Sequence, residues 1–372
     1  MILPDYIKTI LDILDKNGYE GFVVGGSVRD FVMEKIPNDY DVATSALPEE
    51  TKKCFKDFKT IDTGLKHGPV SVIAGGNVVE ITTYRIDGDY KDGRHPENVT
   101  FSSSLDMDLS RRDFTVNALA YSEKTGVYDI FGGLEDVKNK IIKCVGNPDK
   151  RFTEDALRIL RALRFSSVLG FQIEEETKKS IKKNIELLEN VSKERIFEEL
   201  KKLVTGKNAE YIFKEYQKEL EFITGGDSVS NFKSINLYSS LAAIYKTEEL
   251  AFNSLKSLKA DNKTVSFVTK LIKYKDYPLD RISLKKLLSK EGEEFSKEFG
   301  IFKNVLNSIE EIISSGECYS LKQLKIKGNH LKSMGYCGEE IKIALEKLLN
   351  LAIENDKLND ENILIQKLKT EL

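Results

Sequence analysis

The chain has 372 residues, enough for several packed units, and its 40% hydrophobic and 31% charged residues are typical of a soluble globular protein. A net charge of −3 does not indicate a general nucleic-acid binder, so any RNA-binding site must be a local basic surface. Four scattered cysteines without a C-x-x-C pair argue against a zinc site and predict a reducing, cytoplasmic location. Three histidines are too few for a His-Asp metal phosphohydrolase domain. No apolar stretch predicts a membrane span, and the acidic N-terminal segment is unlike a signal peptide.

The first predicted elements are a helix, a strand and a glycine turn. Residues 3–17 place their apolar side chains on one face and predict an amphipathic helix. The apolar run Phe22–Val24 then predicts a buried strand, which Gly25 and Gly26 turn into a helix beginning near Ser27. A glycine-rich turn before a helix offers backbone N–H groups to an anion such as a phosphate.

A pair of carboxylates follows within twenty residues of this turn. Residues 39–44 predict a strand, and alternate residues of a strand share a face, so Asp39 and Asp41 project side by side. Adjacent carboxylates repel unless a cation lies between them, and Mg²⁺ is the natural candidate. Taken singly, the Asp-x-Asp pair also fits a solvated strand end, and Gly-Gly turns are common. Their combination is more specific.

The next segments predict a short helix at 48–57 and a hairpin of strands 69–74 and 77–85. Glu80 lies in the second strand, where it is either an exposed edge residue or a third carboxylate near the metal. The charged, glycine-containing stretch 86–96 predicts a loop, which is either a plain connection or a functional lid. Residues 121–131 predict a further hairpin, turning at Gly126.

Paired arginines open the segment 111–120, RRDFTVNALA. The planar, permanently charged guanidinium of Arg112 suits phosphate contact. Asp113 and Asn117 have the right groups to hydrogen-bond a ribose. By itself, the segment also fits a capped helix with an ion pair.

A second cluster lies at residues 151–165, RFTEDALRILRALRF. Thr153 is a candidate N-cap of a helix. The arginines of this helix, at positions 158, 161 and 164, form one stripe. Because like charges repel, an anion should face this stripe. The arginines either pair with surface acids at 174–176 or face a ligand. Asp155 and Arg158 would be i, i+3 neighbours. An Asp accepts from an exocyclic amino group and an Arg donates to a ring acceptor, a pattern that cytosine and adenine share and that uracil and guanine lack.

These motifs together resemble the DNA polymerase β-like nucleotidyltransferase superfamily. They look most like the class II tRNA CCA-adding enzymes and their poly(A) polymerase relatives. The resemblance implies an α/β head, a mixed nucleotidyltransferase sheet with flanking helices, followed by an all-α neck, body and tail. The expected domains are the head, the base-recognising neck, the helical body and the RNA-binding tail, at residues 1–146, 147–205, 206–315 and 316–372 respectively.

The resemblance also implies roles for single residues. Asp39 and Asp41 would bind two Mg²⁺ and would serve catalysis. Glu80 would be a third catalytic carboxylate near the metals. The remaining candidates would bind the nucleotide: the triphosphate, the ribose or the base. They are Gly25, Gly26, Arg29, Arg112, Asp113, Asn117, Asp155, Arg158, Arg161 and Arg164.

The implied activity is template-independent addition of CCA to the 3′ end of tRNA, with CTP and ATP as substrates. An A-adding or CC-adding tRNA enzyme and a poly(A) polymerase are the alternatives. An inactive RNA-binding protein has no need of a metal pair, and a small-molecule nucleotidyltransferase has no need of the long helical remainder from residue 174 onward. Glycine turns beside lysines at 324–338 either cap helices or bring amides to RNA phosphates. The sequence does not specify an oligomeric state.

Overall fold

The computed structural model describes residues 2–61, 69–87 and 99–371. It contains two compact units, residues 1–223 and 224–372. The four-part division expected from the sequence stays a prediction. None of the helices in the three described ranges is long and apolar enough to cross a membrane.

The first unit opens with the helix, strand and turn that the sequence predicts. Helix α1 (Asp5–Lys16) buries Ile7, Ile10 and Leu14, the apolar face of its amphipathic pattern. Strand β1 (Gly21–Val24) leads through Gly25 into α2 (Gly26–Val32). Strand β2 (Asp41–Thr44) begins at Asp41, so the predicted start at Asp39 is wrong by two residues, and Asp39 lies just before the strand.

A mixed sheet forms the core of this unit. Among the described residues its strand order is β3-β4-β5-β2-β1-β8-β9. The pair β2–β5 is parallel and places Asp41 opposite Glu80, while the antiparallel pair β1–β2 places Val24 opposite Asp41. The glycine turn, Asp41 and Glu80 therefore lie close together at one end of the central strands β1 and β2. The strands not yet given are β3 (Lys59–Ile61), β4 (Pro69–Ala74), β5 (Asn77–Thr83), β8 (Ala120–Ser122) and β9 (Gly126–Tyr128).

The chain after β5 differs from the expectation. The strand predicted to run to residue 85 ends at Thr83, and β6 (Arg85–Asp87) pairs with β7 (Val99–Phe101) in a separate two-stranded sheet. The expected loop at 86–96 falls mainly on residues 88–98, which lie outside the described residues. Helix α4 (Leu105–Ser110) follows and buries Leu105 and Leu109 in a cluster with Val24, Ala43 and Tyr84. This packing fixes the position from which Arg111 and Arg112 project.

Helices dominate the rest of the first unit. Helix α3 (Pro48–Cys54) lies between β2 and β3 in the sequence. Helices α7 (Leu157–Leu169) and α9 (Lys193–Val204) pack closely against each other. Two short strands, β10 (Ile141–Ile142) and β11 (Gln172–Ile173), pair in parallel beside them. The helices after β9 are α5 (Gly133–Asn139), α6 (Pro148–Glu154), α7 (Leu157–Leu169), α8 (Glu175–Asn184), α9 (Lys193–Val204), α10 (Ala209–Glu215) and α11 (Gln217–Thr224).

The single helix predicted to start at Thr153 is two helices. Asn147 caps α6, its side chain accepting from the Lys150 N–H, because Pro148 fixes an earlier first turn. Thr153 lies inside α6 and donates its hydroxyl to backbone carbonyls one turn back. The helix ends at Asp155, whose extended backbone (φ −142°, ψ 102°) separates α6 from α7.

The second unit is helical throughout its regular structure. The hydrophobic pattern predicts helices at 283–290 and 294–314. The break between them is present as a kink at Gly292 (φ 83°), whereas the helix end at residue 304 was not predicted. A separate apolar cluster around Leu324, Leu348 and Leu364 holds its C-terminal part together. The helices are α12 (Leu237–Ala242), α13 (Glu248–Ser257), α14 (Asn262–Lys273), α15 (Arg281–Lys303), α16 (Leu306–Ser315), α17 (Gly328–Ser333), α18 (Glu339–Glu354) and α19 (Glu361–Glu371).

Candidate functional site

A cleft of about 540 Å³ in the first unit collects the predicted site residues. Glu80 is outside its lining but faces Asp41 across the β2–β5 pairing. The cleft is also lined by Arg111, Leu157, Phe165 and Arg195, which the sequence reasoning did not single out. The predicted residues that line it are Gly25, Gly26, Arg29, Asp39, Asp41, Arg112, Asp113, Asn117, Asp155, Arg158, Arg161 and Arg164.

Gly25 forms the turn between β1 and α2 in a conformation that only glycine adopts easily, with φ 76° and ψ −131°. Its N–H donates to the Leu119 carbonyl (2.9 Å), so the free N–H groups are those of the first turn of α2. A Cβ at this position would lie 3.0 Å from Arg112 Nη1. The absence of a side chain therefore lets a guanidinium approach the turn.

The carboxylates of Asp39, Asp41 and Glu80 are close enough to repel one another. The pKa of Asp41 is raised to about 6, first by desolvation in the cleft and then by the charges of Glu80 and Asp39, with Arg112 acting in the opposite direction. A group of neighbouring carboxylates suits a hard divalent cation, which would neutralise their negative charge. No group of three acidic, histidine or cysteine side chains within the described ranges is close enough to form a complete metal site. The metal-ligand and catalytic roles of Asp39, Asp41 and Glu80 stay predictions.

Asp41→Asn is expected to stabilise the protein at pH 7 in the presence of a chelator. Because the folded-state pKa lies above the ordinary 3.8, the cost of ionising Asp41 in the folded protein builds up between about pH 4 and pH 6 and is complete above that range. The residue lines the cleft but is also exposed to solvent, which screens much of this cost. The variant should therefore gain about 1 kcal/mol at pH 7 and almost nothing below pH 4. Thermal unfolding at both pH values measures this difference. Equal melting temperatures at pH 7 would contradict the repulsion.

Asp108, a buried carboxylate that the sequence reasoning missed, holds the two arginines after α4. Burial opposes its ionisation, but the charges of Arg111 and Arg112 outweigh that effect and keep its pKa below the ordinary value. Arg111 donates to Oδ1 (2.7 and 3.0 Å) and Arg112 Nη2 to Oδ2 (3.2 Å). The Nε of Arg112 is buried without a partner in the described part of the chain. The i, i+4 spacing of Asp108 and Arg112 was the available sequence signal.

Asp113 and Asn117 link Arg29 on α2, the helix after the glycine turn, to Arg161 on α7. Asn117 donates to Asp113 Oδ1 (3.1 Å) and accepts from Arg29 Nη1 (2.6 Å). Arg161 pairs with Asp113 Oδ2 (2.6 Å). Burial opposes the ionisation of Asp113, but Arg161 and the Asn117 hydrogen bond lower its pKa to about 2. The predicted ribose contact of this pair stays a prediction, and in the structure their polar groups bind one another and the two arginines.

Asp155 and Arg158 both line the cleft, but not as neighbours on one helix, so that predicted geometry is wrong. Asp155 lies between α6 and α7, where Oδ1 accepts from the Leu157 N–H (3.1 Å) and Oδ2 pairs with Arg195 (2.9 Å) on α9. Arg158 pairs with Glu154 (2.7 Å) and donates to the Arg111 carbonyl (2.9 Å). Glu154 stands at i−4 to Arg158 and was visible in the sequence, whereas no local spacing pointed to Arg195.

The remaining arginines of α7 pair with carboxylates inside the unit. The expected alternative, pairing with surface acids at 174–176, is wrong. Arg164 pairs with Glu199 on α9 at 2.5 Å, and Arg161 lies 3.8 Å from the same carboxylate. Glu199 is only 8% exposed. The charge of the arginine stripe is thus largely balanced within the protein.

Comparisons with known proteins agree with this arrangement. The family described as the poly A polymerase head domain matches residues 21–143, and one described as a probable RNA and SrmB-binding site of polymerase A matches residues 170–219. A CCA-adding enzyme of Ligilactobacillus salivarius is 37% identical over 99% of this chain and 97% of its own. One of Lactobacillus helveticus is 50% identical over 57% of this chain, a match that spans 53% of that relative.

A solved structure shows the same fold along the whole chain. The Bacillus stearothermophilus CCA-adding enzyme in complex with CTP matches with a TM-score of 0.85 and 28% identity, over 99% of both chains. The Thermotoga maritima CCA-adding enzyme complexed with tRNA matches with a TM-score of 0.68 at 22% identity, which supports the fold alone.

Proposed function

The chain belongs to the family of CCA-adding enzymes, as its full-length similarity to the Ligilactobacillus relative shows, and on that premise we propose that it adds CCA to the 3′ end of tRNA from CTP and ATP without a nucleic-acid template. One observation carries the proposal. A single cleft contains the glycine turn, the Asp39–Asp41 pair and the Asp155 and Arg158 side chains. A nucleoside triphosphate needs these three kinds of contact, to phosphate, metal and base.

The acidic edge of the cleft is the reaction centre. Asp39 and Asp41 would hold Mg²⁺, which when bound supplies charge stabilisation for displacement at the α-phosphate and release of pyrophosphate. What supports this assignment is that both carboxylates line one cleft, where desolvation first and then the charges of Glu80 and Asp39 raise the pKa of Asp41. Glu80, opposite Asp41 in the sheet, adds negative charge that strengthens cation binding.

The glycine turn and two arginines form the triphosphate subsite. The N–H groups at the start of α2 and the guanidiniums of Arg29 and Arg112 face the same cleft. Arg29 is held by Asp30 and Asn117 through three of its N–H groups, so its orientation is fixed before a ligand arrives. Arg112 is held by Asp108 through Nη2, and its Nη1 borders the glycine turn.

Asp155 and Arg158 read the base. Each is anchored, Asp155 by Arg195 and the Leu157 N–H, Arg158 by Glu154. The carboxylate oxygens of Asp155 retain acceptor capacity for an exocyclic amino group, and a guanidinium has five donors, so that base contacts add to the anchoring bonds. This pair accepts cytosine and adenine and rejects uracil and guanine, which present a carbonyl at the corresponding place.

The helical remainder supplies the tRNA-binding surface. The segment 170–219, which matches the RNA-binding family, has exposed lysines that suit phosphate contact without sequence readout. These lysines are Lys179, Lys182, Lys183, Lys202, Lys207, Lys214 and Lys218.

The cytoplasmic location expected from the cysteine pattern stays a prediction.

Product lengths on tRNAs of defined 3′ end test the proposal. The protein is incubated with tRNA ending before, within and after CCA, with each nucleoside triphosphate singly and with CTP and ATP together. We expect two additions with CTP on the tRNA lacking CCA, one addition with ATP on tRNA ending in CC, and none on complete tRNA. Addition of many A residues to complete tRNA would indicate a poly(A) polymerase instead.

A loop replacement distinguishes full CCA addition from CC-only addition. One base-reading pair must serve two bases of different size, so something must re-aim it before the third step. Residues 87–96 come shortly after Glu80 in the sequence and include two glycines, Gly88 and Gly93. Replacing them by a short Gly-Ser linker should leave C addition largely intact and depress A addition at least about tenfold in a single-turnover assay. Equal loss of both steps would make the segment structural.

A further inference from the structure

Three arginines of the cleft converge on one aromatic ring. The guanidinium carbons of Arg164, Arg161 and Arg29 lie 3.7, 5.3 and 5.5 Å from the centroid of Phe165. Phe165 is 7% exposed and lines the cleft. Two of these arginines share α7 with the ring, and the third comes from α2. The ring therefore joins the helix after the glycine turn to the base-reading helix.

The ring itself is held rigidly. Phe114, which is fully buried, packs edge-on against it with centroids 5.8 Å apart and planes at 79°. Such a T-shaped pair is a favourable aromatic geometry. Phe165 cannot turn away from its three guanidiniums without disturbing this core contact.

A ring suits this position better than a further carboxylate would. Three guanidiniums close together repel, although each already pairs with a carboxylate: those on α7 with Asp113 and Glu199, and Arg29 with Asp30. The negative face of an aromatic ring attracts a guanidinium without using its N–H donors, which lie in the guanidinium plane. A carboxylate would occupy those donors and repel an incoming triphosphate.

Arg29 is the member of the group that this arrangement affects most directly. Its Nε and Nη2 donate to Asp30, and one N–H of Nη1 donates to Asn117. The Nη2 atom lies 3.5 Å from where a Cβ on Gly26 would stand, so the guanidinium borders the glycine turn. Contact with the Phe165 ring leaves the remaining donors of Nη1 and Nη2 for an anion.

We propose that Phe165 is a positioning residue of the triphosphate subsite, holding Arg29, Arg161 and Arg164 by its ring face so that Arg29 keeps N–H donors for the β- and γ-phosphates. The inference rests on the proposed function for the identity of the anion. It does not involve the base, and its effect should be equal for all four nucleoside triphosphates.

Equilibrium binding of magnesium pyrophosphate by calorimetry tests this role without tRNA or turnover. Phe165→Leu keeps an apolar side chain and removes the ring face. Its dissociation constant for pyrophosphate, and KM for CTP and ATP alike, should rise roughly three- to tenfold, with the CTP-to-UTP preference unchanged. Phe165→Tyr should restore wild-type values. A fluorinated phenylalanine at 165, of nearly the same shape with a weaker ring face, should weaken binding even if the leucine variant folds poorly.

Leu160→Ala is the matched control, because Leu160 is fully buried on the same helix, α7, and does not line the cleft. It should lower the melting temperature at least as much as Phe165→Leu and leave pyrophosphate affinity near wild type. Unchanged affinity in the leucine and fluorinated variants, or equal loss in Leu160→Ala, would overturn the positioning role. A wild-type protein that binds pyrophosphate in a Phe165-dependent way but adds no nucleotide would sink the proposed function and leave this inference intact.

Discussion

Asp39→Asn and Asp41→Asn should each lower kcat for nucleotide addition at least about a thousandfold while tRNA affinity stays within about twofold of wild type. Metal-assisted stabilisation of the reacting phosphate is worth several kcal/mol, and each 1.36 kcal/mol is tenfold in rate. An asparagine keeps the shape of the carboxylate but removes the charge that binds the cation. Single-turnover rates on tRNA ending in CC, with filter binding of the same tRNA, measure the two quantities separately.

Asp57→Asn is the matched control for these variants, because Asp57 is an exposed aspartate of the same unit that does not line the cleft. It should behave as wild type. Turnover near the wild-type level in either cleft variant would contradict the metal assignment. Loss of tRNA binding together with turnover would instead make the pair part of an RNA-binding surface.

Arg158→Ala should narrow the preference for CTP and ATP over UTP by about one to two decades in kcat/KM. A well-placed bidentate contact to a base is worth roughly 1–3 kcal/mol of discrimination. The side chain is already fixed by Glu154 (2.7 Å) and by the Arg111 carbonyl (2.9 Å), so a base meets an oriented donor. The measurement is kcat/KM for all four nucleoside triphosphates on one tRNA.

Arg151→Ala supplies the control, because Arg151 pairs with the same Glu154 oxygen at 2.7 Å but does not line the cleft. It should alter stability and leave the base preference unchanged. If Arg158→Ala lowers all four values equally, Arg158 contacts phosphate and not the base. If Arg151→Ala weakens the preference for CTP and ATP over UTP as much as Arg158→Ala does, the loss comes from the disturbed Glu154 and not from a contact between Arg158 and the base.

The sequence was sufficient wherever local geometry decides position. Gly25 and Gly26 had to turn a strand into a helix, and the spacing of Asp39 and Asp41 placed both carboxylates in one cleft, although β2 begins only at Asp41. The parallel pairing that brings Glu80 opposite Asp41 depends on sheet topology, which no local pattern encodes. For that reason the local pattern left two roles open for Glu80, and its role beside a metal stays a prediction.

Partners distant in sequence were beyond local reasoning. The break at Asp155 interrupts a stretch with good helical spacing. Arg195, forty residues later in the sequence, donates a hydrogen bond to the Asp155 carboxylate. Likewise Glu199 on α9 balances Arg164, where the sequence offered only the nearer acids at 174–176. Tertiary packing determines which side chains meet between packed helices. The sequence therefore predicted the stripe of arginines but not the carboxylates that neutralise it.

A crystal structure of the protein with CTP and Mg²⁺, and a second with ATP, would test the central claim most directly, namely that one cleft serves both nucleotides. The account predicts the triphosphate against the Gly25–Gly26 turn and Arg29 in both, the cation between Asp39 and Asp41, and the amino groups of cytosine and adenine on the Asp155 carboxylate. Nucleotides bound in two different places, or a base edge that touches neither Asp155 nor Arg158, would contradict it.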